Sequence, residues 1–367
     1  MRRHRSLALL VIAGLALAAC APQKAQDYGV SASGAPGVDA ALQARGTETV
    51  DTSTYKKDGP YNIVALTQGP INGWGLTWDV SMQYEASQQK DVKNLTLVSS
   101  GGDSSKQISQ MENAVKQKPD AIILVPMSYE ALVAPAARAM AAGIPVIVCA
   151  NHLQGDDYVS VVTQDLYASG YASAEALAKR LDGKGNVVMF SGIAGAYGAE
   201  IWKKAAEDLF KKYPDIKIVA NEYADWSVAT AKEKTAAILA ANPKIDGVWS
   251  GGSEMALGAL LSFKDAGRTL PVFGVANPIN GWLRVTHDEK VEFDAYENPP
   301  GTLAVACVDT AMKVLHGEQV HKAELLPANH YDQTTAMEHY VPELNDDFVP
   351  PPTAPISAYV DAGMARK

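Results

Sequence analysis

The chain has 367 residues, of which 47% are hydrophobic and 20% charged, and a formal net charge of −9. So acidic a balance argues against a nucleic-acid partner. Beyond an N-terminal apolar run no stretch approaches transmembrane length, and roughly 300 patterned residues suggest two domains rather than one core.

Arg2, Arg3 and Arg5 precede an apolar run from 7 to 17 that closes on Leu17-Ala18-Ala19-Cys20. A charged front, a short apolar middle and a small-residue end make residues 1–19 a signal peptide. The Leu-Ala-Ala-Cys ending resembles a lipoprotein signal, which implies an exported, periplasmic protein anchored to the membrane through lipidated Cys20. Loss of the three arginines takes the net charge from −9 to about −12. Residues 20–59 are rich in Ala, Gly, Ser, Thr, Asp and Gln without an apolar period, and read as a flexible tether. Cys149 ends an apolar strand and Cys307 sits in an amphipathic helix. Export permits a disulfide, but both are read as small apolar core residues.

From Tyr61 short apolar runs alternate with longer amphipathic segments. Strands are predicted at 62–66, 95–99, 121–125, 146–149, 159–162, 187–190, 217–220, 247–249 and 272–275. Helices fall between them near 78–90, 106–117, 131–142, 200–213, 228–241 and 255–266. This βαβ alternation predicts an α/β fold with parallel sheets covered by helices on both faces.

In open α/β sheets ligands sit outside the carboxyl ends of strands. Pro-Ile-Asn-Gly-Trp follows one strand at 70–74 and recurs after another at 278–282. Trp74 and Trp282 are expected either to face a shared cleft, with Asn72 beside them, or to cap their own cores. Other strand-end candidates are Ser128, Asn151, His152, Tyr197, Glu200, Trp226, Asn277, Tyr296 and Glu297, with Asp165 either a ligand contact or a helix N-cap. His152 reads as a solvated loop residue, because no second His or Cys lies at metal spacing. No metal or cofactor is expected. Gly192, Gly195 and Gly198 miss the dinucleotide fingerprint, and nucleophile-elbow, phosphate-loop and zinc-protease motifs are absent, so a binder is favoured over an enzyme.

The stretch 246–267, DGVWSGGSEMALGALLSFKDAG, reads as a buried strand, a glycine turn, Ser253 as helix N-cap and a helix ending at Gly267. Glu254 and Asp225 read as carboxylates favoured at helix starts. The SEMALGAL words resemble the type I periplasmic solute-binding proteins of bacterial ABC importers, the ribose- and galactose-binding class. The resemblance implies two Rossmann-like lobes with parallel sheets joined by a three-stranded hinge. The lobes would comprise 60–163 plus 297–326 and 164–296 plus 327–345, followed by a Pro-rich tail, 346–367, that either straps the hinge or hangs loose. It also implies a monomer that closes on a small-molecule ligand and presents it to an ABC permease, with a sensor of the same fold as the alternative output.

The family's usual Asn-Asp is Gly252-Ser253 here. Its charged sugar-holding positions read as Ala150-Asn151, Glu200 and Ala276-Asn277. What remains is aromatic and amide-rich, with Trp226 matching a ligand-stacking position. That set suits a sugar, a polyol or a sugar-like ligand, and a cationic or aromatic metabolite is the alternative.

Overall fold

The strands Ala121–Leu124 (AIIL) and Val146–Ala150 (VIVCA) are buried at every position, as strands covered on both faces must be. The computed structural model describes Leu42 and residues 45–366. The signal peptide, Cys20 and the start of the tether lie outside the described residues.

In chain order the strands are β1 (Thr49–Val50), β2 (Tyr61–Thr67), β3 (Val92–Ser99), β4 (Ala121–Leu124), β5 (Val146–Ala150), β6 (Ser160–Gln164) and β7 (Lys184–Ser191). They continue with β8 (Asp215–Tyr223), β9 (Gly247–Ser250), β10 (Val272–Ala276), β11 (Phe293–Glu297), β12 (Val320–His321), β13 (Ala323–Leu326) and β14 (Asn329–Asp332). Two six-stranded sheets form, in the orders β13-β6-β5-β4-β2-β3 and β14-β11-β10-β9-β7-β8. All neighbours are parallel except β14, which runs antiparallel to β11 at one edge. This is a two-lobed α/β fold, and the chain passes between the lobes after β6, after β11 and between β13 and β14.

Each sheet is a sandwich. Helices Gly73–Gln88 and Pro300–His316 cover one face of the first, burying Trp78, Met82, Leu303 and Val308 against Ile63, Ile123 and Ile147. Helices Ser104–Gln117 and Val133–Ala141 cover the other through Met111, Ala114, Ala136 and Ala139. In the second lobe, helices Leu166–Arg180 and Tyr197–Phe210 pack on one face, and Val228–Ala241, Ser253–Asp265 and Asn280–Glu289 on the other. Asp165 caps its helix, accepting from the Ala168 amide at 2.8 Å.

Three sequence expectations need correction. Cys149 and Cys307 form a disulfide, with Cα atoms 6.3 Å apart. The helix Pro300–His316 lies on β5, so packing brings together residues separated by 158 positions, which no local pattern reveals. The tether does not extend to residue 59: β1 pairs with β12, Thr52 is buried and donates to the Glu318 carbonyl, and Leu42 joins the first lobe's core. Ser253 is the first residue of its helix rather than the N-cap, which is Gly252.

The C-terminal segment is packed, not loose. Phe348, Tyr359, Leu344 and Met364 cluster with Val80 of helix Gly73–Gln88, and the Tyr359 hydroxyl lies 2.9 Å from that of Ser81. On the other side, Asn280 and Gly281 donate backbone N–H groups to the Phe348 and Asp346 carbonyls, each at 2.8 Å, and Arg284 pairs with Asp346 at 2.5 Å. The segment thus joins helix Gly73–Gln88 of one lobe to helix Asn280–Glu289 of the other.

Candidate functional site

The carboxyl ends of both sheets face a common cleft, and its lining comes from the turns just past them and the starts of the helices that follow. The first sheet supplies Gln68, Asn72 and Trp74 after β2, Val125 and Met127 after β4, Ala150 at the end of β5 and Asn151 after it. The second supplies Ala196 and Gly198 after β7, Trp226 after β8, Glu254 after β9 and Asn277 after β10. Leu166 and Asn298 enter from two of the crossovers, and Trp202 from helix Tyr197–Phe210. Together they bound a narrow cavity of ≈ 60 Å³ that opens to solvent.

Its backbone is unusual where it meets the cavity. Ala150, Asp225, Trp226 and Asn277 hold φ at 59°, 56°, 49° and 47°, in the left-handed region that L residues seldom occupy. The turn at 225–226 lays the Trp226 indole over two glycines. A Cβ on Gly192 would come within 2.1 Å of the ring, and one on Gly252 within 2.7 Å. The ring is then fixed by its Nε1, which donates to the Gly251 carbonyl at 2.9 Å. Trp74 is held similarly from the other lobe. It donates to the Asn298 carbonyl at 3.0 Å and stacks on buried Trp78 with centroids 5.2 Å apart.

Asn72, Asn151 and Asn277 are each half committed to the protein, which assigns the remaining half. Asn72 Oδ1 accepts from the Gly75 amide at 3.0 Å and from Gln68 Nε2 at 3.4 Å, leaving its NH2 as a donor. Asn277 Oδ1 accepts from the Asn298 amide at 2.7 Å, leaving another NH2. Asn151 Nδ2 donates to the Pro126 carbonyl at 2.8 Å, leaving an acceptor. Asn298 Oδ1 is buried without a partner among the described residues. A buried acceptor in that condition is costly unless something else supplies a donor. The Glu254 carboxyl, 6% exposed, is pushed up to about 7 by burial, with Asp347 adding to the effect and its own backbone N–H opposing it.

A family model described as periplasmic binding protein domain matches residues 64–319. This chain belongs to the type I periplasmic binding proteins. The binding protein is 33% identical over 260 residues to the xylitol-binding protein of Mycolicibacterium smegmatis, covering 69% of this chain and 74% of that one. It is 25% identical over 245 residues to the ribose import binding protein of Bacillus subtilis, covering 66% and 78%. Among solved structures, an ABC transporter periplasmic solute binding protein from Actinobacillus succinogenes with bound D-allose superposes with a TM-score of 0.69 at 25% identity, covering 76% and 100%. A solute binding protein from Mycobacterium smegmatis with bound glycerol gives 0.72 at 22%, covering 80% and 100%, and shares the fold. The family is one of exported, periplasmic ligand-binding proteins.

Of the residues singled out from sequence, the binding protein brings Asn72, Trp74, Asn151, Trp226 and Asn277 to the cleft. Trp282 lies elsewhere: fully buried, it meets Phe273 and Phe293 edge-on at 5.0 and 5.4 Å in the second lobe's core. Ser253 is buried behind the lining, donating to the Asn277 carbonyl at 2.6 Å and accepting from the Ile279 amide at 2.8 Å, so it shapes the Asn277 turn. Ser128 accepts from the Glu130 and Ala131 amides at 3.4 and 3.2 Å and closes its own turn. Glu200 accepts from the Gly195 amide at 2.8 Å and from the Tyr223 hydroxyl at 2.9 Å, outside the cavity. Tyr197, outside the lining, stacks on Tyr129 of the opposite lobe, centroids 5.5 Å apart. Tyr296 packs against His330 at 4.8 Å, and burial pushes its hydroxyl up to about 12.

His152 is half-buried beside Tyr158, and burial lowers it to about 4, so it is no solvated loop residue. Glu297 is buried in the second crossover, accepting from Asn329 at 3.1 Å and from the Tyr331 hydroxyl. Gln68 and Asn298, missed from sequence, each directly follow a strand, so the strand-end rule applied without exception would have found them. Glu254 was visible, but a carboxylate at a helix start has a sufficient local explanation. Among the described residues no group of His, Cys, Asp and Glu could hold a metal ion, and no helix is long and apolar enough to cross a membrane.

Proposed function

We propose that this protein captures a small neutral sugar or polyol between its lobes and delivers it to an ABC permease. The observation that carries the reading is the cleft's complement of uncommitted amide groups between Trp74 and Trp226. Donors on Asn72 and Asn277 and acceptors on Asn151 and Asn298 match hydroxyl groups, each of which donates and accepts. Indole faces suit the C–H faces of a polyhydroxylated chain or ring. Among the described residues no lysine or arginine lines the cavity, which disfavours an anionic ligand. The names of the relatives, binders of xylitol and ribose, support the same class.

The working unit is a monomer whose lobes, 60–163 plus 297–326 and 164–296 plus 327–345, close about the crossovers on the ligand. It binds without chemical turnover and is held at the membrane by lipidated Cys20. A thermal-shift screen of the chain lacking residues 1–20 against pentitols, pentoses, hexoses, inositols and amines tests the ligand class. At a hundredfold excess over Kd a true ligand stabilises by about 2.7 kcal/mol. A response to sugars or polyols is expected; a response to amines alone would replace the neutral ligand with a cation.

A further inference from the structure

We propose that Glu254 sets the specificity of this cleft, its carboxyl group donating a hydrogen bond to an oxygen of an uncharged, hydroxyl-bearing ligand. The inference rests on the neutral-ligand reading of the cleft and adds the group that enforces it. Glu254 stands in the first turn of helix Ser253–Asp265, directly past β9, and it is the one carboxyl among the cavity-lining residues described. Its carboxyl and the Trp226 indole converge over Gly252, where a Cβ would lie 3.1 Å from Glu254 Oε2 and 2.7 Å from the ring. The absence of a side chain at 252 therefore gives the carboxyl its place beside the aromatic wall.

Among the described residues no cation pairs with a negative charge there; only the helix start and the residue's own backbone N–H favour one, and burial outweighs that N–H. None of the ion pairs among the described residues includes Glu254. From the C-terminal segment it faces Asp347, a like charge. On helix Asn280–Glu289, Arg284 is paired with Asp346. On helix Val228–Ala241, Lys232 and Lys234 are paired with Asp265 and Glu222. The turns after β2, β8 and β10 bring Asn72, Trp74, Trp226 and Asn277 into the same cavity, none of them titratable. Burial without a cation holds the carboxyl in its acid form up to about 7, consistent with a donor role at neutral pH.

In this form Glu254 supplies an O–H that a hydroxyl or ring oxygen accepts, while its carbonyl oxygen can take a second hydroxyl. An anionic ligand finds no lysine or arginine among the described lining residues to pair with. An amine draws the proton off and must bring two partners into a buried ion pair.

The test is isothermal titration of xylitol, D-ribose, D-allose, myo-inositol and their amino analogues into the wild-type chain, Glu254→Gln and Glu254→Ala. Each is run between about pH 6 and about pH 8.5, with melting curves to establish folding. For a neutral ligand the wild type should weaken about tenfold or more across that range, as ionisation removes the donor. Glu254→Gln keeps an N–H donor and should bind with a flat profile, and Glu254→Ala should lose at least about tenfold at the low end. Neutral binding that is flat or tightens with pH, with both variants within twofold of wild type, overturns the role of Glu254 and leaves the neutral-ligand reading standing. Binding of amines alone, tightening as pH rises and lost in Glu254→Gln, overturns both, as does silence across the whole panel.

Discussion

The pentapeptide Pro-Ile-Asn-Gly-Trp occurs at 70–74 and 278–282, after a strand end in each lobe, yet the two copies do different work. In the first, Asn72 stands outside the helix as N-cap and Trp74 is the second helical residue, half-buried at the cleft with its Nε1 on the Asn298 carbonyl. In the second, the helix begins at Asn280, so Trp282 is the third helical residue. One residue is about 100° of helical rotation, enough to carry a ring from cleft to sheet. Trp282 accordingly lies between Phe273 and Phe293. The asparagine freed from capping turns to the C-terminal segment: Asn280 Nδ2 donates to the Val341 and Leu344 carbonyls at 2.8 and 3.2 Å, and its Oδ1 accepts from the Val341 amide at 3.1 Å. Only the glycines keep one role, since a Cβ on Gly73 would lie 1.6 Å from the Asp347 carbonyl oxygen and one on Gly281 2.8 Å from Asp346 Cβ. The repeat is therefore a pair of docking points for the C-terminal segment, and one copy doubles as cleft wall.

The tryptophans offer the largest contrast. Trp282→Ala should cost about 3–5 kcal/mol in urea unfolding, as deletion of a buried aromatic does, with ligand affinity of the folded fraction unchanged. Trp74→Ala and Trp226→Ala should instead weaken binding by more than about 1 kcal/mol, roughly tenfold, with smaller losses of stability. Equal effects of Trp74→Ala and Trp282→Ala on affinity would erase the distinction between the copies.

The asparagines come next. Asn280→Ala strands the Val341 amide and should destabilise by about 1–3 kcal/mol. Asn72→Ala removes a helix cap worth about 1 kcal/mol, and it should also lower affinity because Asn72 lines the cleft. A binding defect in Asn280→Ala without a stability defect would reverse these roles.

The smallest signal tests the shared glycine. Gly281→Ala and truncation after residue 345 should couple by about 1 kcal/mol in a double-mutant cycle, because removing Asp346 removes the atom the new methyl meets. Additivity would show that the segment does not press on that turn.

The repeated turn illustrates how far local pattern reaches. Alternation of apolar runs with amphipathic stretches specifies strands and helices because each is a property of neighbouring residues, and strand ends then nominate the loops that face the cleft. Asn72, Trp74, Asn151, Trp226 and Asn277 were legible for that reason, and the SEMALGAL words added the family.

By itself, then, the sequence determined the α/β class, the order of its elements and the amide and aromatic residues at the strand ends. Tertiary packing decided the rest: which Trp of an identical pair turns inward, that Cys149 meets Cys307, that residues 45–59 and 346–366 bind the lobes, and that Glu254 loses water without gaining a cation. Those outcomes depend on contacts between segments tens to hundreds of residues apart, and such contacts leave no periodic trace in the chain because their geometry exists only once the sheets have assembled.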